Sequence, residues 1–303
     1  MSAPRISVIC IFYNAERFFA EAVESVLAQD EAEFELILVD DGSTDASTAM
    51  ALEYLRRDPD RVVYLEHEGH ANRGMSATRN LGLAHARGEL VTFIDADDRW
   101  RAGKLAEQAA ILDSHPEVGI VCGTVNYWGS WSGRKDCLVP TGHMRDKILH
   151  PPETALWLYP LGDAEAPCPS DVMIRRSLVE TVGGFEAHFT GPRQMYEDQG
   201  FFSKVYITAP VYFSERVWCD YRIHDDSISA TVTRDGQYDD VRRYFLAWFA
   251  DYLRQRRFAG KAAVTRALRM AQFRMDHPKL ARLEAQVLRI VRRNVEGVYV
   301  GGM

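Results

Sequence analysis

The sequence predicts an α/β fold: a mostly parallel sheet flanked by helices, with a helical extension at the C-terminal end. Three observations carry that expectation. Short continuous runs rich in Ile and Val alternate with segments whose apolar residues recur at helical spacing, the pattern of strands buried on both faces. Two acidic clusters, Asp40-Asp41 and Asp95-Ala96-Asp97, each follow such a run directly. From about Gln237 the apolar period is helical nearly to the end of the chain.

The elements follow in order. Ile6 to Phe12 is the first buried strand, and Asn14 is placed to cap a helix whose Phe19, Val23, Val26 and Leu27 share one face. Phe34 to Val39 is the second strand, stopped by Asp40-Asp41-Gly42-Ser43, and Asp45 to Arg57 reads as helix. Val62 to Leu65 gives a third strand, then a polar loop leads into a helix from about Ser76 to Ala86, stopped by Gly88. Leu90 to Ile94 is the fourth strand; a helix closed by His115-Pro116 and a fifth strand, Val118 to Val125, follow. Tyr127 to Pro169 is rich in Gly, Pro and Trp and reads as loops and short elements over the crevice. Helix returns at Arg176 to Val182 and again from Glu197, with strands at Val211 to Phe213 and Glu215 to Arg222. The C-terminal helices form about three segments, broken near Gly260 and His277-Pro278. In open α/β sheets ligands bind beyond the carboxyl ends of the strands, where both acidic clusters lie.

Composition limits the function. At 303 residues, 47% hydrophobic and 26% charged, the chain has an ordinary globular make-up with enough length for a sizeable core. Five cysteines without a paired spacing argue against a disulfide framework or a zinc site and fit a reducing cytoplasm. No leader and no membrane-length apolar run is visible. Net charge is −7, yet Val241 to Met303 holds 14 Lys and Arg against 4 Asp and Glu, +10, which leaves −17 on the first 240 residues. Such an acidic body is a poor nucleic-acid surface and repels a diphosphate unless a cation intervenes.

The clusters suggest which chemistry. Two aspartates two residues apart at a strand mouth, Asp95 and Asp97, suit Mn²⁺ or Mg²⁺, which need one or two carboxylates and neutralise a diphosphate leaving group. A solvated turn that caps the next helix is the plainer reading of the same residues. Asp40 and Asp41 can accept bonds from a base or ribose, or serve as turn and cap. The stretch from His70 to Asn80 opens a helix whose N-terminus and Arg79 favour anions. Glu197-Asp198 either complements a helix dipole or supplies a general base for an acceptor hydroxyl. His224, after a strand, is either structural or a metal ligand. A serine-hydrolase elbow, a Walker loop and a dinucleotide fingerprint are all missing, which disfavours nicotinamide chemistry.

In order and spacing these segments resemble the family 2 glycosyltransferases of GT-A fold, Rossmann-like in architecture. Ser7-Val8-Ile9 with Tyr13-Asn14 is similar to the family's opening phrase, although Ile11-Phe12 stands where small residues or Pro are more usual. Glu35 to Asp45 resembles its nucleotide-binding strand and loop; Asn72 with Ser76 to Gly82 resembles its N-x-G-x-S-x-A-R-N phrase. Gly88 to Asp98 resembles the strand leading to the DxD site; Gly183-Gly184-Phe185 and Glu197-Asp198 resemble the acceptor-side motifs. The resemblance implies an inverting transferase: Tyr13 and Asp41 on base and ribose with Asp40 nearby, Arg79 near the donor, and Asp95 on ribose or a metal water. It further implies Asp97 as principal metal ligand, His224 as third metal contact, Asp198 as base, and Glu197 beside the acceptor. It places a catalytic domain at 1–235, with a donor half to about 125 and an acceptor half beyond it, and leaves 236–303 as a basic helical extension. The implied partners are a nucleotide-sugar donor, a UDP-sugar by family frequency, and a saccharide or lipid-linked acceptor. A polyprenyl-phosphate acceptor and a non-catalytic sugar-nucleotide binder are the alternatives. The stripe Leu246, Trp248, Phe249 and Tyr252, followed by Arg254, Arg256, Arg257 and Lys261, either lies on anionic lipid at the inner membrane face or packs as a helical hairpin on the body or on a second subunit.

Overall fold

The computed structural model describes residues 4–30, 33–143 and 145–280. Ten strands and ten α-helices alternate through them: β1 Ile6–Phe12, α1 Phe19–Leu27, β2 Phe34–Asp40, α2 Ser47–Arg57, β3 Val62–Glu66, α3 Met75–His85, β4 Leu90–Asp95, β5 Arg99–Trp100, α4 Lys104–Ser114 and β6 Ile120–Trp128 make up the first half. The second comprises β7 Cys137–Pro140, β8 Lys147–Leu149, α5 Glu153–Trp157, β9 Met173–Arg175, α6 Arg176–Val182, α7 Glu197–Tyr206, β10 Val211–Arg222, α8 Ile228–Arg234, α9 Tyr238–Gln255 and α10 Lys261–Asp276.

One sheet runs β3-β2-β1-β4-β9-β6-β10-β5, with β7 on β6 and β8 on β10. Strands β3, β2, β1 and β4 are parallel neighbours. Their registers pair Phe12 with Asp40 and Ile11 with Asp95, so the carboxyl ends of β1, β2 and β4 are level. The sequence expectation misses β9. It is three residues long, too short for a periodicity to show, and it enters antiparallel between β4 and β6. Two successive antiparallel pairings restore polarity, so β6 and β10 point the same way as β4. The end of β10, and His224 just beyond it, therefore reaches the same edge as Asp95. The two strands expected at Val211 to Phe213 and Glu215 to Arg222 are one strand, broken only by shifts of register against β6.

Alternation along the central strands separates two apolar layers. Ile9, Ile11, Ile37, Val39 and Phe93 face one layer, which includes Phe201 of α7 and Phe245 of α9. Val8, Cys10, Leu36, Leu38 and Ile94 face the other, with Phe19 of α1 and Leu105 of α4. This is why the strands read as unbroken apolar runs. The stripe on α9 takes part in the first layer: Leu246 and Phe249 are buried, with Trp248 and Tyr252 packed against them. That settles the two readings of this stripe for the body-packed hairpin, since a face already covered is not available to lipid. All but the first residues of the helical segment expected beyond Pro278 lie outside the described residues.

Asn14 is not a helix cap. It sits at φ 48°, and its side-chain oxygen accepts from the Thr44 amide at 2.7 Å, tying the end of β1 to the loop after β2. Gly42 in that loop has φ 82°, and a Cβ there would lie 2.7 Å from the His70 carbonyl oxygen. Only glycine meets both demands, the left-handed backbone and the close approach of the two loops.

Candidate active site

The loop after β2 is built around two aspartates with separate tasks. Asp40 is buried; it accepts from the Ser43 amide at 2.8 Å and from Thr48 Oγ1 at 2.5 Å, with Tyr64 Oη at 3.3 Å. Both its oxygens accept bonds from within the protein, so Asp40 shapes the turn. Asp41 accepts from the amides of Arg73 at 2.6 Å and Gly74 at 3.0 Å. It caps α3 from a distant loop, a partnership that local sequence does not reveal. The Met75 amide donates to Gln194 Oε1 at 2.8 Å. The amides of Arg73, Gly74 and Met75 at the entry to α3 thus have protein acceptors. Tyr13, just after β1, has half of its surface exposed (51%).

Arg79 on α3 has its side chain buried (1% exposed), with one guanidinium nitrogen on Asp95 and another on Glu197. It lies over the Phe185 ring, 5.5 Å from its centroid. Its charge is shared between these two carboxylates at the border of the crevice. Glu197 is enclosed too, and its Oε2 is buried without a hydrogen-bond partner among the described residues. The next residue, Asn80, donates to the Phe185 carbonyl at 2.8 Å and accepts from the Phe185 amide at 2.8 Å. The Arg79-Asn80 pair on one helix thereby fastens the end of β4, the Gly183-Gly184-Phe185 turn and α7 together.

At the mouth of β4 the acidic residues are pinned one by one. The Asp95 amide donates to Ser170 Oγ at 3.0 Å, and Ser170 Oγ donates to Asp98 at 2.5 Å. The Arg222 amide donates to Asp98 at 2.9 Å, and Arg222 Nε donates to the Asp97 carbonyl at 2.6 Å. Ser170 and Arg222 thus hold the turn, and sequence reading misses both; a serine in a 3₁₀ turn and an arginine ending a strand carry no signal of their own. Asp97 keeps about a third of its side chain exposed (35%), and its Oδ2 is 2.8 Å from His224 Nε2. Adjacent ligands on an octahedral ion with bonds of about 2.1 Å lie about 3 Å apart, so this carboxylate and imidazole fit one edge of such a site. Across the crevice, Asp198 opens α7 beside Glu197 and accepts from the Gln199 amide at 2.6 Å.

Electrostatics separates the carboxylates. Burial pushes Glu197 up to about 8, against the opposing pull of Arg79. Asp95 is raised for the same reason, because one guanidinium does not offset two enclosed carboxylates. Burial raises Asp198 to about 6. The crevice itself has a volume of about 410 Å³ and is bordered by Arg79, Asp95, Glu197 and Asp198 and by the tyrosines 127, 159, 196, 221 and 238. That is the size and chemistry of a small-ligand site.

A protein-family model described as glycosyl transferase family 2 matches residues 7–183. The chain belongs to this family. The putative teichuronic acid biosynthesis glycosyltransferase TuaG of Bacillus subtilis is 34% identical over 152 residues, covering 50% of this chain and 54% of TuaG. Three of the curated relatives it matches are spanned over only 35%, 42% and 54% of their length. Among solved structures, S. aureus TarS 1-349 in complex with UDP-GlcNAc has a TM-score of 0.68 at 22% identity, over 89% of this chain and 72% of that one. The Pyrobaculum calidifontis mannosyltransferase PcManGT, in complex with GDP-Man and Mn²⁺, has a TM-score of 0.57 at 18% identity, over 96% and 81%. The fold is the GT-A fold of these enzymes. The family 2 match ends at Gly183, so Glu197-Asp198, His224 and the helices α7 to α10 lie beyond it.

Proposed function

We propose that the chain is an inverting, metal-dependent glycosyltransferase that moves a sugar from a nucleotide diphosphate, a UDP-sugar by preference, to a hydroxyl of a saccharide or glycolipid, in the synthesis of surface polysaccharide. The observation that carries this reading is Asp198, on the wall of a crevice shared with Asp95 and raised by burial to about 6. A carboxylate so tuned accepts the proton of an attacking hydroxyl near neutral pH. The relatives and neighbours point to the substrates: a teichuronic acid transferase by name, and structures with UDP-GlcNAc and GDP-Man.

In the mechanism, the exposed Tyr13 offers its ring to the base, and Asp41 holds the two loops that face the nucleotide. Asp97 and His224 would hold Mn²⁺ or Mg²⁺, with Asp95 on a metal water or ribose; bound there, the cation offsets the charge of the departing diphosphate. Asp198 takes the acceptor proton as the oxygen attacks from the face opposite the diphosphate, in one displacement. Arg79 and Glu197 keep Asp95 and Asp198 at a fixed separation.

A melting screen of UDP and GDP, each with and without Mn²⁺, tests the donor side. One diphosphate at about 100 times its Kd stabilises by about 2.7 kcal/mol. The expected result is a shift that requires metal and vanishes in Asp97→Ala; a full shift without metal, or none with either nucleotide, removes the reading.

We further propose peripheral contact with membrane through α10. No helix among the described residues is long and apolar enough to cross a bilayer. Met270 (43%), Phe273 (45%) and Leu280 (53%) are nevertheless exposed, beside exposed Arg266 and Arg269. Apolar groups flanked by arginine suit an anionic surface. Cosedimentation with phosphatidylglycerol vesicles is expected to weaken in salt and in a Met270→Ser/Phe273→Ser variant; equal recovery of wild type and variant would refute the contact.

A further inference from the structure

The part of the crevice farthest from the acidic turn is walled by three tyrosines brought together from distant elements. Tyr159 follows α5, Tyr196 precedes Glu197-Asp198 directly, and Tyr238 is the first residue of α9. Their hydroxyls converge: Tyr159 Oη lies 2.7 Å from Tyr238 Oη, Tyr196 Oη is 3.4 Å from Tyr238 Oη, and Tyr159 and Tyr196 are also bonded to each other. Three hydroxyls that bond in a triangle use one proton and one lone pair each, which leaves a further lone pair on each oxygen. Beside them Gln199 is only 8% exposed, lines the same crevice, and has its Oε1 buried without a partner. Of the buried side-chain atoms without a partner among the described residues, this acceptor and Glu197 Oε2 belong to residues that border the crevice, as does Arg79 Nε, and an orphaned acceptor there can take a donor from a ligand.

The half-buried rings of Tyr159 and Tyr238 for the C–H face of a sugar, with phenolic oxygens and an unpaired amide acceptor for its hydroxyls, make carbohydrate-binding chemistry, while the buried Tyr196 holds the two other hydroxyls in place. Charge narrows the class. Four carboxylates border the crevice, on Asp95, Glu165, Glu197 and Asp198, against a single arginine, Arg79. That arginine is already shared between Asp95 and Glu197. Arg242, 5.3 Å from the Tyr159 ring centroid, does not border the crevice and donates to the Pro160 carbonyl at 3.4 Å, so an acceptor carrying a phosphate or carboxylate next to the reacting hydroxyl would meet mainly repulsion there.

We propose that Tyr159, Tyr196, Tyr238 and Gln199 form the acceptor subsite, and that it takes an uncharged pyranose and rejects an anionic one. This deepens the transferase reading and rests on it. Tyr238 and the neighbouring Ile228 and Ser229 come from α8 and α9, beyond the stretch that the family model matches, so this wall is where the chain sets its own acceptor preference.

The test uses the full chain with UDP and Mn²⁺. Binding of neutral octyl glucoside, galactoside, mannoside and N-acetylglucosaminide is compared by saturation-transfer NMR titration with that of octyl glucuronide and galacturonide. At least one neutral pyranoside is expected to bind at least about tenfold more tightly than either uronide. Tyr238→Ala is expected to weaken that binding at least about fivefold while the melting shift with nucleotide and Mn²⁺ is retained. Tyr238→Phe, which keeps the ring and removes the hydroxyl, should give a smaller loss. The proposal is overturned if no neutral pyranoside binds, if a uronide binds equally well, or if Tyr238→Ala leaves affinity unchanged. Failure of wild type to show the nucleotide shift sinks the transferase reading instead, so the two failures are distinct.

Discussion

Asp198→Asn is expected to reduce transfer to a hydroxyl acceptor by about a hundred- to ten-thousandfold, the range that a positioned proton acceptor contributes. The amide keeps the size of the side chain and removes its basicity. Asp198 bonds to the Gln199 amide and is not bonded to Arg79, so the substitution leaves the ion network in place. Nucleotide binding and the melting temperature should therefore change little, and the loss should fall on kcat. The wild-type pH profile gives an independent check. Burial raises the Asp198 carboxyl to about 6, and only its ionised form accepts a proton. Rate should rise with pH through about 6 with unit slope and then level off. A profile flat from pH 5 to 8, or an Asn variant with undiminished kcat, would remove Asp198 from the role of base. Undiminished transfer to a polyprenyl phosphate in the same variant would favour that acceptor, which needs no deprotonation.

Arg79→Met carries the largest expected effect on stability. Arg79 and Glu197 are almost wholly enclosed, and Asp95 is mostly so. Removing the guanidinium leaves two carboxylates in the interior without their counter-charge, a change that costs about 3–5 kcal/mol at comparable sites. Chemical denaturation should show the drop directly. Some of it will be hidden if Glu197 takes up a proton, which its raised affinity favours, so the deficit should be smaller at pH 6 than at pH 9. The double variant Arg79→Met/Glu197→Gln should recover part of the loss, because one of the two stranded charges is gone. If the single variant is as stable as wild type, the cross-brace between β4 and α7 is not what holds the crevice in shape.

The reading of the chain from its sequence succeeded where the signal is local. The bounds of β1 and α6 agree with expectation because each element states its own period or ends at its own glycine. The parallel order of β1, β2 and β4 follows from apolar runs and helical crossovers, and it puts Asp41 and Asp95 on one edge whatever the details. Pairings between residues far apart along the chain were not legible. Arg79 is separated from Glu197 by 118 residues and Asp41 from Gly74 by 33, and nothing near either residue announces the pairing. An arginine near a helix start looks the same in sequence whether it meets a phosphate or two carboxylates.

What the sequence determined by itself was the family, the sheet edge that carries the acidic motifs and the residue types available there, because strand and helix periods and strand-end position are properties of short segments. What only the tertiary structure decided was which charges remain free for chemistry. Arg79 and Asp40 are bonded inside the protein, Asp97 meets His224 because the antiparallel β9 restores the direction of β10, and Tyr238 reaches the crevice because α9 buries its apolar stripe against the same core. Burial and pairing are sums over the whole chain, so a residue's availability for chemistry is fixed only once the chain has packed.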